Sequence, residues 1–223
     1  MIRLNVTTEG ITEKGFVDVI LGVHLRARGI APVAYCITTS FDRRIGKIYK
    51  GGLSSYVQVK KDMLRRFREY KSPDDRFTTM FDLYGLPQDF PGMQEVRNVQ
   101  NPYEKVRILE QALADDFQEK RLIPYIQLHE FEALLLAAPD KLLTAYPDDK
   151  EPVEKLIHEI SEENPELIDG GINTAPSKRI IKYLPDYDKV NAGLITAMAI
   201  GLSAIRKRCR HFDEWISRLE NLK

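Results

Sequence analysis

Leu4-Asn5-Val6-Thr7-Thr8-Glu9-Gly10-Ile11-Thr12-Glu13-Lys14-Gly15-Phe16 reads as a strand that runs into a glycine turn and then a helix, with two carboxylates at the junction. Ile2, Leu4 and Val6 alternate with polar residues. Gly10 permits a tight turn, and Thr12 is placed to cap a helix that buries Phe16, Val17, Ile20, Leu21 and His24 or Leu25. Glu9 then stands just past the carboxyl end of the strand and Glu13 in the first helical turn. In open α/β sheets ligands bind at this edge. An acid at a helix start also complements the dipole, and an acid before a glycine also serves as a turn residue. The other strands decide between these roles.

The chain has 223 residues, 43% hydrophobic and 30% charged, enough for a sizeable core with or without a smaller appendage. Lys and Arg total 33 and Asp and Glu total 33, so there is no bulk cationic field for indiscriminate adhesion to nucleic acid or membrane. A polyanion is held only by local patches. Cys36 and Cys209 stand far apart without a Cys-x-x-Cys pair, which argues against a disulfide framework or structural zinc and fits a reducing cytoplasm. The opening residues carry no basic and apolar leader. The most apolar run, Ala192 to Ile205, is interrupted by Gly193, Thr196, Gly201 and Ser203 and falls short of the roughly 20 residues of a membrane span. It reads as a buried helix.

Beyond the first helix, closed by Gly29, the residues Pro32 to Thr39 read as a second strand buried on both faces. Phe41 to Ser55 carries Arg43, Arg44, Lys47, Lys50 and the pair Gly51-Gly52 and reads as a mobile basic loop. Tyr56 to Tyr70 follows as a basic helix, with Lys60, Lys61, Arg65, Arg66 and Arg68 around a stripe of Val57, Met63, Leu64 and Phe67. Loop and helix either form a solvated face or meet a phosphate backbone. Phe77 to Pro87 reads as a third strand closing in Asp82 and a glycine-proline loop, and Pro102 to Phe117 as a helix. A fourth strand, Arg121 to Leu128, runs into a helix opening His129-Glu130-Phe131-Glu132-Ala133. Ala133 stands where a zinc-protease helix needs its second histidine.

Past Pro139 strands stop alternating with helices. Helices are expected over Glu151 to Glu162, Ser177 to Tyr183, Val190 to Arg208 and Phe212 to Leu222, giving an α/β domain over 1–138 and a helical region over 139–223. The loop Asp169 to Pro176 enters a short basic helix whose amides, with Lys178 and Arg179, suit a phosphate; a surface loop capped by Ser177 is the other reading. The four histidines show no metal-ligand spacing.

Three strands thus deliver Glu9 with Glu13, Asp82, and Glu130 or Glu132 to one edge of a parallel sheet of about four strands. Clustered carboxylates repel unless a hard cation neutralises them, and oxygen ligands favour magnesium or manganese. Such ions activate water and stabilise a leaving oxygen in phosphodiester cleavage. The arrangement requires the first and third strands to be neighbours.

These residues carry a resemblance. Thr8-Glu9-Gly10-Ile11-Thr12-Glu13 resembles the Glu-Gly-x-Thr-Glu opening of Toprim domains, found in topoisomerases, primases, recombination proteins and the nuclease halves of overcoming-lysogenization-defect proteins. Asp82-Leu83-Tyr84-Gly85-Leu86-Pro87, His129-Glu130-Phe131-Glu132-Ala133, Pro176-Ser177-Lys178-Arg179 and Ile200-Gly201-Leu202 with Arg206, Cys209, Phe212 and Trp215 resemble an uncharacterised bacterial Toprim-like family of this length. The resemblance implies a Toprim-like Rossmannoid fold and a magnesium- or manganese-dependent nuclease site. It places Glu9 as metal ligand or proton-transfer group, Glu13 as the second acid, Asp82 as the first aspartate of Asp-x-Asp, and Lys178 as the phosphate-neutralising lysine. Arg43, Arg44, Lys47, Lys60, Lys61 and Arg179 are the candidate nucleic-acid contacts. The implied partners are nucleic acid, DNA ahead of RNA, and an ATPase of AAA or ABC type in phage defence or DNA repair, with no membrane and with room for oligomers. Tyr84 replaces the second aspartate, which removes one ligand unless Glu130 or Glu132 supplies it. That departure motivates an alternative, a non-catalytic Toprim-like binding or interaction subunit. A nucleotide-binding fold ranks last, because no Gly-x-x-x-x-Gly-Lys or Gly-x-Gly-x-x-Gly follows the first strand.

Overall fold

The computed structural model describes residues 1–42, 47–50, 53–160, 164–168 and 174–223, with 38–42 and 47–50 described by their backbone. Arg43, Arg44, the Gly51-Gly52 pair and Asp169 to Asn173 lie outside the described residues, as does the side chain of Lys47. The chain divides into two compact units, Met1–Gln127 with Leu219–Lys223, and Leu128–Arg218.

The first unit opens with β1 (Ile2–Thr8), buried from Leu4 onward. The helix that follows runs as α1 (Ile11–Phe16), a π segment (Val17–Leu21) and α2 (Gly22–Arg26). Phe16, Val17, Leu21 and Leu25 are fully buried, as their spacing requires. The chain continues through β2 (Ile30–Cys36), β3 (Thr38–Asp42), β4 (Lys47–Lys50), α3 (Tyr56–Glu69) and β5 (Asp75–Asp82). It then runs through α4 (Pro102–Phe117), β6 (Leu122–Ile123) and β7 (Ile126–Gln127). The expected basic loop after β2 is in part a hairpin: β3 and β4 pair antiparallel, with a register shift between Thr38 and Ser40. Thr38 and Thr39, expected to end the second strand, instead open this hairpin, with Lys47–Lys50 of the expected loop as its other strand.

The sheet is wholly parallel, in the order β2-β1-β5-β6, with β7 also pairing β5. The first and third expected strands, β1 and β5, are therefore neighbours. The fourth expected strand is broken in two. Leu122 and Ile123 pair with Phe77 and Thr78, whereas Ile126 and Gln127 pair with Phe81 and Asp82. Pro124 has no N–H for the ladder. Thr79 fills the gap with its side chain: Oγ1 accepts from the Tyr125 amide at 2.9 Å and donates to the Tyr125 carbonyl at 2.8 Å.

From β1 the chain moves to one side to make β2, then returns to lay β5 on the other side. The strand order reverses between β1 and β5, which is the switch point where ligands bind in such sheets. Right-handed crossovers put the helix after β1 on one face and α3 with α4 on the other. In agreement, Phe67 of α3 meets Phe77 of β5 and Phe117 of α4 edge-on, at 4.7 and 5.3 Å.

The second unit is helical: α5 (Glu132–Leu135), a 3-10 turn (Pro139–Thr144), α6 (Lys150–Ile160), α7 (Pro176–Tyr183), α8 (Asn191–Ile200), α9 (Leu202–Arg208) and most of α10 (Arg210–Glu220). Leu134, Leu142, Val153, Leu156, Ile180, Ile205 and Phe212 form its core. The single buried helix expected over Val190 to Arg208 is two helices. Gly201, at φ 77 and ψ 150, breaks it in a region reserved for glycine. Likewise His129 has φ 62, and the helix expected from that residue starts only at Glu132. The fully buried Glu166 accepts hydrogen bonds from the amides of His211 and Phe212, both 2.9 Å, and so caps α10. Among the described residues no helix is long and apolar enough to cross a membrane.

Candidate functional site

β1 ends at Thr8 and β5 at Asp82, so Glu9 and Asp82 stand at the carboxyl ends of the two strands that flank the switch point. The backbone joins them, since the Glu9 amide donates to the Met80 carbonyl at 3.3 Å. The side chain of Glu9 then reaches across to β5, where its Oε2 accepts from the Asp82 amide at 3.3 Å. Asp82 is buried, 5% exposed. After Asp82 the chain makes a 3-10 turn, Leu83–Gly85, which folds back over Glu9. A Cβ on Gly85 would lie 2.3 and 2.6 Å from the two carboxylate oxygens of Glu9. Gly85 is therefore the wall that leaves room for this carboxylate. Sequence reasoning read Gly85 only as loop punctuation.

The turn after β1 is built differently from the expectation. Gly10 has an extended backbone, φ −136 and ψ −172, and it, rather than Thr12, precedes the helix as its cap residue. Glu13, 3% exposed, turns back so that its Oε2 accepts from the Gly10 amide at 2.8 Å. A Cβ on Gly10 would lie 3.0 Å from that oxygen, so glycine serves here by closeness. The Gly10 carbonyl accepts from Thr8 Oγ1 at 3.1 Å and from Cys36 Sγ at 3.2 Å, which pins the turn to β2. Glu13 thus holds the turn that places Glu9. Gln127, fully buried, is the register partner of Asp82 on the other side and accepts from the Tyr125 hydroxyl at 2.6 Å.

On α3, Lys60 pairs with Asp116 of α4 at 2.8 Å, and Tyr56 donates its hydroxyl to the same carboxylate. Burial raises the Asp116 carboxyl, but the bonds from Lys60 and Tyr56 outweigh it and hold the group below its ordinary value. Lys61 is exposed. A groove of about 500 Å³ runs along this helix, lined by Tyr56, Val57, Lys60, Lys61, Leu64 and Arg68.

In the second unit Glu130 Oε2 accepts from the Ser177 amide at 3.0 Å, so the start of α7, expected to hold a phosphate, already carries a carboxylate. Arg179 donates to the Thr174 carbonyl at 3.1 Å and faces Glu159 at 3.8 Å, while Lys178 is exposed. Glu132 is fully buried; Lys189 Nζ lies 3.2 Å from its Oε2, an ion pair without hydrogen-bond alignment. Desolvation pushes the Glu132 carboxyl up, against the pull of Lys189. Burial, followed by the charge of Glu132, also drives the Tyr187 phenol up.

Among the described residues no group of three or more His, Cys, Asp or Glu forms a ready metal cage. What the first unit offers is a pair, Glu9 and Asp82, both hard oxygen donors. Magnesium commonly uses one or two carboxylates and completes its shell with water and substrate phosphate. The donor set fits that ion or manganese.

A family profile described as "Domain of unknown function (DUF4276)" matches residues 8–220. No curated protein matches the chain. Among solved structures, the C-terminal region of the Xanthomonas campestris pv. campestris OLD protein is similar at 13% identity and TM-score 0.39, over 97% of this chain and 95% of that one.

Proposed function

We propose that this chain, which belongs to the DUF4276 family, is a magnesium- or manganese-dependent phosphodiesterase acting on nucleic acid. One observation carries the reading: the Glu9 carboxylate is fixed beside Asp82 at the switch point of a parallel sheet, by the Asp82 amide and by the missing side chain of Gly85. Glu9 and Asp82 would hold a divalent ion, which would supply Lewis acidity and lower the pKa of water. The chain contributes position. Glu13 and Cys36 hold the turn that carries Glu9, the Asp82 amide orients its carboxylate, and the cations along α3 attract the phosphate backbone.

The test is cleavage of end-labelled single- and double-stranded DNA and RNA with magnesium or manganese. Glu9→Gln and Asp82→Asn are each expected to lower the rate about 100-fold or more while the far-UV spectrum is unchanged. Variants that cut like the wild type overturn the reading.

A second reading, a non-catalytic binding subunit working beside an ATPase, is favoured by one feature. Tyr84 stands two residues past Asp82 and Glu13 is turned onto the Gly10 amide, leaving two carboxylates at this edge. Nucleic-acid binding and partner recovery without any metal-stimulated cleavage would select it.

A further inference from the structure

The segment after Asp82 builds a second feature of the first unit. Leu86, Phe90 and Val96 anchor it in the core. Gly92, at φ 83, presses so closely on α4 that a Cβ there would lie 2.9 Å from the Cβ of Ala112. Between this segment and α4 lies a cavity of about 240 Å³. Its lining combines apolar side chains, including Val96 and Leu109, with Tyr84, Gln88, Gln94, Arg97 and Lys105. It lies beside the Asp82 edge of the sheet, since Leu83 and Tyr84, which line it, directly follow Asp82.

We propose that this cavity receives one unstacked nucleotide of the substrate, next to the phosphodiester addressed by Glu9 and Asp82. The proposal rests on the nucleic-acid reading above and names its substrate as a strand with an accessible base. The volume is below the roughly 300–1,000 Å³ of sites for drug-sized ligands and suits a single planar heterocycle. Tyr84, 42% exposed, offers a ring for stacking. Gln88 and Gln94 each offer a donor and an acceptor of the kind that pairs with base edges.

The charge of the lining is one-sided. No acid is among the described residues that line the cavity, in a chain whose acidic and basic residues balance. Among the described residues Arg97 and Lys105 make no ion pair and no side-chain hydrogen bond, whereas Lys60, Arg121, Lys182 and Arg206 are each paired with a carboxylate. Two uncommitted cations beside an apolar slot match a phosphate attached to a base. Duplex DNA keeps its bases stacked and cannot fill the slot without unstacking.

The experiment titrates the full chain, in EDTA, with adenosine, cytidine, guanosine and uridine 5′-monophosphates, the free nucleosides and inorganic phosphate, read by calorimetry. At least one monophosphate is expected to bind about tenfold or more tighter than both its nucleoside and free phosphate. Arg97→Ala with Lys105→Ala is expected to remove that difference, and Gln88→Ala with Gln94→Ala to change the ranking of bases. Gln88, Gln94 and Arg97 are exposed and Lys105 is half-buried, and an unchanged Tm confirms folding. Equal binding of monophosphate and free phosphate, no binding at all, or no effect of the double variants overturns the proposal. Because the titration is metal-free, it separates the two claims. A chain that binds nucleotides but cuts nothing loses the phosphodiesterase reading and keeps the cavity, and one that cuts but binds no nucleotide does the reverse.

Discussion

At the scale of single residues, Gly85 is the sharpest test of how Glu9 is held. A methyl group there would lie 2.3 to 2.7 Å from the carboxylate atoms and must displace them. Gly85→Ala is expected to lower metal-stimulated cleavage to within about tenfold of Glu9→Gln while the Tm falls far less than for a core deletion. Cleavage at the wild-type rate would show that the turn gives way instead. Glu119 gives a pH prediction. Arg121 donates to both of its oxygens at 2.9 Å and to the Tyr70 carbonyl, and its fork holds the Glu119 carboxyl below the usual value. A depressed carboxyl contributes stability above its unfolded pKa, near 4.5, and loses it as pH falls through the lower folded value. Glu119→Gln should therefore cost about 1 kcal/mol at pH 7, and urea melts should show the gap closing below about pH 4. A gap independent of pH would assign the cost to packing.

Among the elements, the interrupted fourth strand and the broken C-terminal helix each hang on one residue. Thr79→Val keeps the shape but leaves the Tyr125 amide and carbonyl buried without their partner. The expected cost is about 2–6 kcal/mol, at about 1–3 kcal/mol for each unsatisfied group, measured by denaturant unfolding. Gly201→Ala forces an alanine to φ 77 and ψ 150 and is expected to cost about 1–3 kcal/mol, seen as a lower Tm. The same two places mark what the sequence hides. β1, α3 and α4 were legible because apolar spacing and caps set them locally; Asn101, for example, accepts from the amides of Tyr103 and Glu104 at the start of α4. The break at Pro124 went unread, since Arg121 to Leu128 reads as one strand although a proline cannot join a ladder. Its repair by Thr79 was not legible, because the two residues meet only through sheet register. Gly201 inside an apolar run looked like a tolerated helix glycine, since nothing local reveals a positive φ. The β3–β4 hairpin was missed because Thr38 and Thr39 read as part of the second strand and the basic residues after Phe41 as loop.

In the molecule as a whole, the neighbouring of β1 and β5 turns separate sequence signals into one place. Glu9 and Asp82 were both legible as acids at strand ends, and the order β2-β1-β5-β6 puts them on either side of the switch point. Gly85, Cys36 and Gln127 were not legible as site residues, because each acts by a tertiary approach across strands. The account therefore predicts a cation site made by this pair and dependent on both members. The most direct measurement is a calorimetric titration of the full chain with manganese, comparing wild type, Glu9→Gln and Asp82→Asn. Binding in the wild type that weakens about tenfold or more in each variant is the predicted result. Manganese binding of equal strength in all three would contradict it, and the phosphodiesterase assigned to this edge would have to be sought elsewhere in the chain.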